Sequence, residues 1–301
     1  MKEGIIGAGL ILLAITHWLP LGIQFLELAG AFAHFTLMIS AIIAVLSIYK
    51  RLLVLTGLAL ASVCVSGTLV MGHIGSLTLN GKSEFTIGQF NVYHHNPNFN
   101  NALTCLMIQE PDVITIQELN SEWAPEILRT LKPIYPYFHE EYQDSCCYGI
   151  GIYSRYPIAE SRSILIEGVF MIEAELELKH GRLTIFSQHT LPPVFPNRTV
   201  ERNGQLQELS RLIRKTEGPV IALGDFNVVP WDPVMKRFLE TSGQTRVHSG
   251  FQATYPMDLG VPLIPIDHIT FSKHLVPNSC DAFDIPGSDH RGLVASFKFK
   301  E

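Results

Sequence analysis

The tetrapeptide Gly224-Asp225-Phe226-Asn227 closes the apolar run Pro219-Val220-Ile221-Ala222-Leu223. A run of this kind, entered through Gly-Pro and ended by Gly, predicts a strand buried on both faces, and Asp225 and Asn227, two residues apart, then share one side at its end. A carboxylate and an amide at a sheet rim can hold a hard cation or a phosphate. The same residue types also make ordinary turns, so the tetrapeptide alone decides nothing. Other apolar runs end alike, in Phe90-Asn91-Val92, Ile116-Gln117-Glu118 and Phe186-Ser187-Gln188-His189. A further run contains Ile266-Asp267-His268-Ile269, and Gly287-Ser288-Asp289-His290 precedes the last one. Turn chemistry does not call selectively for Glu, Asp, Asn and His at the ends of buried strands. Their recurrence predicts one rim where carboxylates, amides and imidazoles meet and where a hard cation or a phosphate could sit. Oxygen ligands without His-rich or Cys-rich spacing favour Mg²⁺, with Mn²⁺ as its substitute, over zinc.

The elements that must position these residues read as strands with a few helices. Strands are expected at Phe85–Asn91, Val113–Gln117, Tyr148–Tyr153, Val220–Leu223, Ile266–Phe271 and Gly292–Phe299, with a hairpin of Val169–Leu178 and Arg182–Gln188 turning at His180-Gly181. Helices are expected at Asn100–Gln109 and, from leucines 206, 209 and 212 with Ile213, at Arg202–Lys215. Many strands with interspersed helices imply an α/β fold of two packed sheets flanked by helices.

The first eighty residues differ in kind. No charged residue occurs from Gly4 to Leu26, from Leu28 to Tyr49 or from Leu52 to Asn80, and each stretch meets the roughly 20 residues that cross a bilayer. The sequence therefore predicts a transmembrane region over 1–80, with helices at 4–26, 28–49 and 52–76, and a catalytic domain over 81–301. Lys2 and the pair Lys50-Arg51 flank these stretches, while the loop at Glu27 carries no base. The positive-inside rule then puts the Lys50-Arg51 loop in the cytoplasm and the catalytic domain outside, on a multi-pass protein of the plasma or inner membrane.

Of 22 basic and 28 acidic side chains, removing Lys2, Lys50, Arg51, Glu3 and Glu27 leaves 19 and 26 in residues 81–301, a net charge of −7. That balance disfavours broad binding of nucleic acid, whose affinity comes mostly from Lys and Arg. Cys105, Cys146, Cys147 and Cys280 show no zinc or redox spacing, and the sequence does not pair them. No protein partner is legible.

The set Asn91, Glu118, Tyr153-Ser154-Arg155-Tyr156-Pro157-Ile158, His189, Gly224-Asp225-Phe226-Asn227, Ile266-Asp267-His268-Ile269 and Ser288-Asp289-His290, in this order, resembles the endonuclease/exonuclease/phosphatase superfamily. The likeness covers residues 85–299 and not the apolar N-terminal stretches. It implies a DNase I-like four-layer sandwich and a metal-dependent hydrolase of ester bonds. By resemblance Glu118 is the principal metal ligand, with Asn91 and Asp289 close by, and Asp267 orients His290. Asp225 addresses the attacking water, Asn227 and His189 donate to phosphate oxygens, and Arg155 contacts the substrate. The resemblance leaves open whether Asp225 or His290 takes the proton. The expected function is a membrane-anchored phosphoesterase acting on a lipid headgroup or small phosphoester. An extracytoplasmic nuclease and a catalytically inactive, membrane-tethered binding module are the alternatives.

Overall fold

The apolar runs pair into two six-stranded sheets in the computed structural model, which describes residues 2–16, 29–73, 82–195, 197–258 and 260–300. The first sheet has the order β11 (Leu275–Asp284), β12 (Arg291–Phe299), β1 (Phe85–Asn91), β2 (Val113–Gln117), β4 (Ile150–Ser154), β3 (Tyr137–Glu141). The second has the order β5 (Ile158–Ile166), β6 (Val169–Leu178), β7 (Gly181–His189), β8 (Val220–Asp225), β10 (Asp267–Ser272), β9 (Gln244–Arg246). Their inner faces meet through Ile87, Val113, Ile152, Ile172, Ile185, Ile221 and Ile269, all buried, which is the core of the sandwich. The helices Phe99–Ile108 and Ala124–Thr130 cover the outer face of the first sheet through Leu103, Leu106, Trp123 and Ile127. Arg198–Lys215 and Pro233–Ser242 cover the second through Leu206, Leu209 and Phe238.

Strand direction decides which ends share a rim. β1 and β2 run parallel, Asn91 opposite Gln117, and β7 and β8 run parallel, His189 opposite Asp225. β12 is antiparallel to β1, and β10 is antiparallel to β8 with Asp267 opposite Asp225. The C-terminal ends of β1, β2, β7 and β8 therefore meet the N-terminal ends of β10 and β12. The expected strands all form, most within two residues of their expected bounds. The helix expected from Arg202 starts earlier, at Arg198. The helices Ala124–Thr130 and Pro233–Ser242 and the strands β3, β5, β9 and β11 were not legible in the sequence. β5 is largely exposed, so burial imposes no apolar alternation on it.

Among the described residues three named helices precede the sandwich: α1 (Lys2–Thr16), α2 (Ala33–Tyr49) and α3 (Leu53–Val70), the last continued by a 3₁₀ turn to His73. Residues 29–31 are also helical, and Phe32 interrupts the helix before α2. Among the described residues, one helix, Leu53–His73, is long and apolar enough to cross a membrane, while Ala33–Tyr49 is apolar but has 17 residues. At 1.5 Å per residue α2 measures about 25 Å, short of the ~30 Å hydrocarbon core. By this criterion the described residues carry one span where three were expected. Residues 17–26 of the first expected span and 74–76 of the third lie outside the described residues.

The helices pack with small and hydroxyl side chains inward. Ser40, Ser47, Ala44, Ala59 and Ser62 are buried, whereas Met38, Ile42, Leu46, Leu53 and Val54 are exposed. Ser40 Oγ lies 2.8 Å from Ser62 Oγ, and Ser47 Oγ 2.8 Å from Thr56 Oγ1. The ends of α2 and α3 nearest the sandwich dock on it: Ala33, Leu69 and Val70 pack with Val229, Trp231 and Ile266. Trp231 Nε1 donates to Gly30 O at 2.9 Å, and Arg246 donates to His73 O at 3.0 Å.

Candidate active site

Each side chain at the rim is held by the turn that ends its strand. Gly224 has φ +140°, and a Cβ there would sit 1.8 Å from the carbonyl oxygen of Gln188, so only glycine lets β8 run this close to β7. Immediately after it, Asp225 Oδ1 accepts from the backbone N–H of Asn227 at 2.9 Å, and Asn227 takes φ +47°. Asn227 Nδ2 donates to Thr190 O at 2.8 Å, and Arg202 donates to Asn227 O at 2.9 Å, so the turn is tied on both sides. Glu118, with φ +70°, is likewise in the left-handed region, where a non-glycine residue is strained and persists only when its surroundings fix it. Its Oε1 accepts from Asn91 Nδ2 at 2.9 Å and its Oε2 from His94 N at 2.7 Å.

The two sheets join through these polar groups. Asn91 Nδ2, on the first sheet, also reaches Asp225 Oδ2, on the second, at 3.3 Å. Ser288 Oγ donates to Asn91 O at 2.7 Å and accepts from His290 N at 3.0 Å, which places the Ser288-Asp289-His290 segment. His290 Nδ1 lies 2.8 Å from Asp267 Oδ2, and its Nε2 lies 3.7 Å from Asp225 Oδ2. His189 Nε2 approaches the same Asp225 oxygen at 3.4 Å. One cavity of about 380 Å³ is lined by Glu118, His189, Asp225, Asn227, Asp289 and His290, among others.

Burial sets the charges. It lifts the carboxyls of Glu118 and Asp289 above their usual range, and it raises Asp225 well above, with Asp267 reinforcing the shift there. Burial also resists ionisation of Asp267, but the adjacent imidazolium outweighs it and the carboxyl stays below its ordinary value. For His290 burial opposes the charged ring, and Asp267, Asp225 and Asp289 overcome that and raise its pKa to about 10. His189, desolvated and beside His290, falls to about 3. The site thus pairs a protonated His290 with an ionised Asp267 and surrounds them with more carboxyls than the one imidazolium can balance.

That shortfall fits a divalent cation. Glu118, Asp225 and Asp289 line the cavity with their carboxyls lifted by burial, and the buried Asp289 Oδ1 has no hydrogen-bond partner among the described residues. Ligand atoms of Asp225, Asp267 and His290 also lie within 4.8 Å of one another. His290 Nδ1, however, is committed to Asp267, and that pair already neutralises itself. The oxygens left for a cation are those of Glu118 and Asp289, an oxygen set suited to Mg²⁺.

Of the residues read from the sequence, Asn91, Glu118, His189, Asp225, Asn227, Asp267, Asp289 and His290 come together, and Arg155 does not. β4 is antiparallel to β2, so Ser154 pairs with Val113 at the far end of the sheet. Arg155 there lies 3.9 Å from Asp112 and its guanidinium faces the Tyr135 ring at 5.3 Å. It is a structural ion pair about a strand's length from the site. All five cysteines are free thiols, and Cys147 lines the cavity.

Gln89 was missed by sequence reasoning. Its Nε2 donates to Asp267 Oδ1 at 2.8 Å and to Gln117 Oε1 at 2.9 Å from full burial between the sheets. A signal existed: Gln89 precedes Asn91 by two, on the same face of a strand otherwise buried. Gln89→Leu should leave KM near its wild-type value, lower kcat about tenfold by freeing Asp267, and cost about 1–3 kcal/mol for each of the two buried oxygens, on Asp267 and Gln117, that lose this donor. Steady-state kinetics and a thermal melt read both.

The profile of the Endonuclease/Exonuclease/phosphatase family matches residues 88–290, from β1 to His290. The chain belongs to this family. Solved structures share the fold. TDP2 from D. rerio, complexed with a single-strand DNA product, is 21% identical with a TM-score of 0.61, over 72% of this chain and 100% of that one. A mutant beta toxin from Staphylococcus aureus with bound magnesium ions is 17% identical with a TM-score of 0.55, over 71% and 99%. Sphingomyelinase C from Streptomyces griseocarneus is 11% identical with a TM-score of 0.55, over 72% and 99%. At these identities the likeness is one of fold. No curated protein matches the chain. Family membership makes the protein a hydrolase of ester bonds, of a kind that binds divalent metal.

Proposed function

We propose that this protein is a membrane-anchored, Mg²⁺-dependent phosphoesterase that cleaves a phosphodiester or phosphomonoester, with a lipid headgroup or small phosphoester as substrate. The observation that carries the reading is the convergence of Glu118, Asp225, Asn227, Asp289 and His290 on one cavity, with an unpartnered carboxylate oxygen on Asp289. In this reading Glu118 and Asp289, with Asn91 beside them, would hold Mg²⁺, which would supply positive charge for the phosphate oxygens. Asp225, whose carboxyl burial makes more basic, takes the proton of the attacking water. Protonated His290 donates from Nε2 to the phosphate while Asp267 fixes the orientation of the ring and balances its charge through Nδ1. Asn227 and His189 complete the donor set around the developing charge.

The inside-out packing of the N-terminal helices supports a multi-pass anchor. Serines buried and leucines exposed would be unfavourable in water, and they are what helix association in a bilayer calls for. Lys50-Arg51 sits at the end of the helical hairpin away from the docked ends of α2 and α3, which supports a cytoplasmic loop and an extracytoplasmic active site. The neighbour holding single-strand DNA favours a nuclease as second reading; the net charge of −7 in residues 81–301 weighs against it.

The test is hydrolysis by the full chain, in detergent, of bis-4-nitrophenyl phosphate, sphingomyelin, phosphoinositides and plasmid DNA, each with Mg²⁺ and with chelator. Chelator-sensitive turnover is expected on an ester of low molecular weight or a lipid; turnover of DNA alone would select the nuclease, and none at all would remove the enzyme reading. In the same assay Glu118→Gln is expected to weaken Mg²⁺ binding by at least about tenfold, read by calorimetry.

A further inference from the structure

The catalytic cavity is closed on one side by residues that do not belong to the sandwich. Ala31 and Phe32, from the N-terminal helical region, line it together with Val229, Ile264 and Ile266 and with Glu118, Asp225 and His290. The helix is interrupted at Phe32, whose backbone (φ −99°, ψ 21°) leaves the helical path just before α2. The ring remains 38% exposed. The interruption is anchored: Trp231 Nε1 donates to Gly30 O, and Ala33 is buried among Val229, Trp231 and Ile266. The cavity therefore combines two kinds of lining. Glu118, Asp225 and His290 can take a phosphoester, and the apolar residues Ala31, Phe32, Val229, Ile264 and Ile266 come partly from the segment that leads into α2.

We propose that Phe32 is a chain-recognition residue: the substrate is an amphiphilic phosphoester from the surrounding bilayer, with its head at His290 and its aliphatic chain against Ala31 and Phe32. The proposal rests on the phosphoesterase reading and narrows it to lipids. Two observations select an alkyl chain over other occupants. The apolar wall is continuous with the catalytic cavity, so what lies on it is joined to the reacting group. The wall also belongs to the element that continues into an apolar helix, whose large side chains face outward, so a chain leaving the cavity past Phe32 meets the surface that lipid tails cover. Burying a chain segment there removes apolar surface from water, which is favourable.

The experiment uses the full chain in lipid nanodiscs with two diesters of one leaving group, hexadecyl 4-nitrophenyl phosphate and methyl 4-nitrophenyl phosphate. The ratio of their kcat/KM values is compared among wild type, Phe32→Ala, Phe32→Leu and Ala31→Trp, so that partitioning into the disc cancels. The ratio should fall at least about tenfold in Phe32→Ala and Ala31→Trp, and Phe32→Leu should restore most of it. A ratio that is the same in all four proteins overturns the proposal and leaves the hydrolase standing. Affinity for hexadecylphosphonate in Mg²⁺, measured without turnover, decides independently. Weaker binding by Phe32→Ala is expected, and equal binding overturns the proposal. If neither ester is cleaved, the phosphoesterase reading fails while the affinity comparison still judges Phe32.

Discussion

His290→Ala should lower turnover by about 10²–10⁴-fold, the range for losing a positioned proton donor, without abolishing Mg²⁺ binding. The expectation follows from the division of labour at the rim. His290 Nδ1 is bound to Asp267, leaving Nε2 as the only ring donor that can address a substrate, and its pKa of about 10 keeps that donor protonated at neutral pH. Glu118, at the end of β2, is held by hydrogen bonds from Asn91 and His94 and by none from the imidazole, so a cation site there would outlast the substitution. Rate measurements at saturating Mg²⁺, with calorimetric titration of the metal, separate the two. If the variant stayed within about tenfold of wild type, His290 would have no part in proton transfer or charge stabilisation. Asp267→Asn should resemble it, because the ring would lose both its tautomer and its counter-charge.

Gly224→Ala should cost about 3–5 kcal/mol and lower the melting temperature by roughly 10 °C, through left-handed strain added to a clash with backbone. The added methyl would lie 1.8 Å from Gln188 O, an atom of the adjoining strand that cannot swing aside. Gly218, with φ +84° and nothing within 4 Å of the same methyl, is the control: Gly218→Ala meets the strain without the clash and should cost about 1–2 kcal/mol. Thermal melts of the two variants compare them directly. Equal losses would mean that β7 and β8 can separate at this point, and the rim would then be softer than its hydrogen bonds imply.

Much of the site could be read from sequence because β1, β2, β7 and β8 run in one direction. An apolar run ending in Asn91, Glu118, His189 or Asp225 then delivers its polar residue to one rim, and Asp267 and His290 reach it from strands that begin there. The same reasoning fails for Arg155. The run before it ends in Ser154-Arg155 just as the others end, but β4 is antiparallel to its neighbour, and strand direction is not written in local pattern. Gln89 looked like a single polar residue in an apolar run, and its value depends on Asp267, which is 178 positions away. Phe32 was read as part of a membrane span. Its place in the wall of the cavity that holds Asp225 and His290 follows from docking of the helices on Trp231, which no pattern within eighty residues encodes.

The two clamps, Trp231 to Gly30 and Arg246 to His73, fasten both docked ends of the helical hairpin to the sandwich. A catalytic unit on a flexible stalk would sweep a volume and meet substrate according to its bulk concentration. One bolted at two points to helices that anchor it in a bilayer, as proposed above, would keep its mouth at a constant height and tilt and meet what diffuses laterally into it. On that proposal its saturation should follow the mole fraction of substrate in the membrane, and inert lipid added at constant total substrate should act as a competitive diluent.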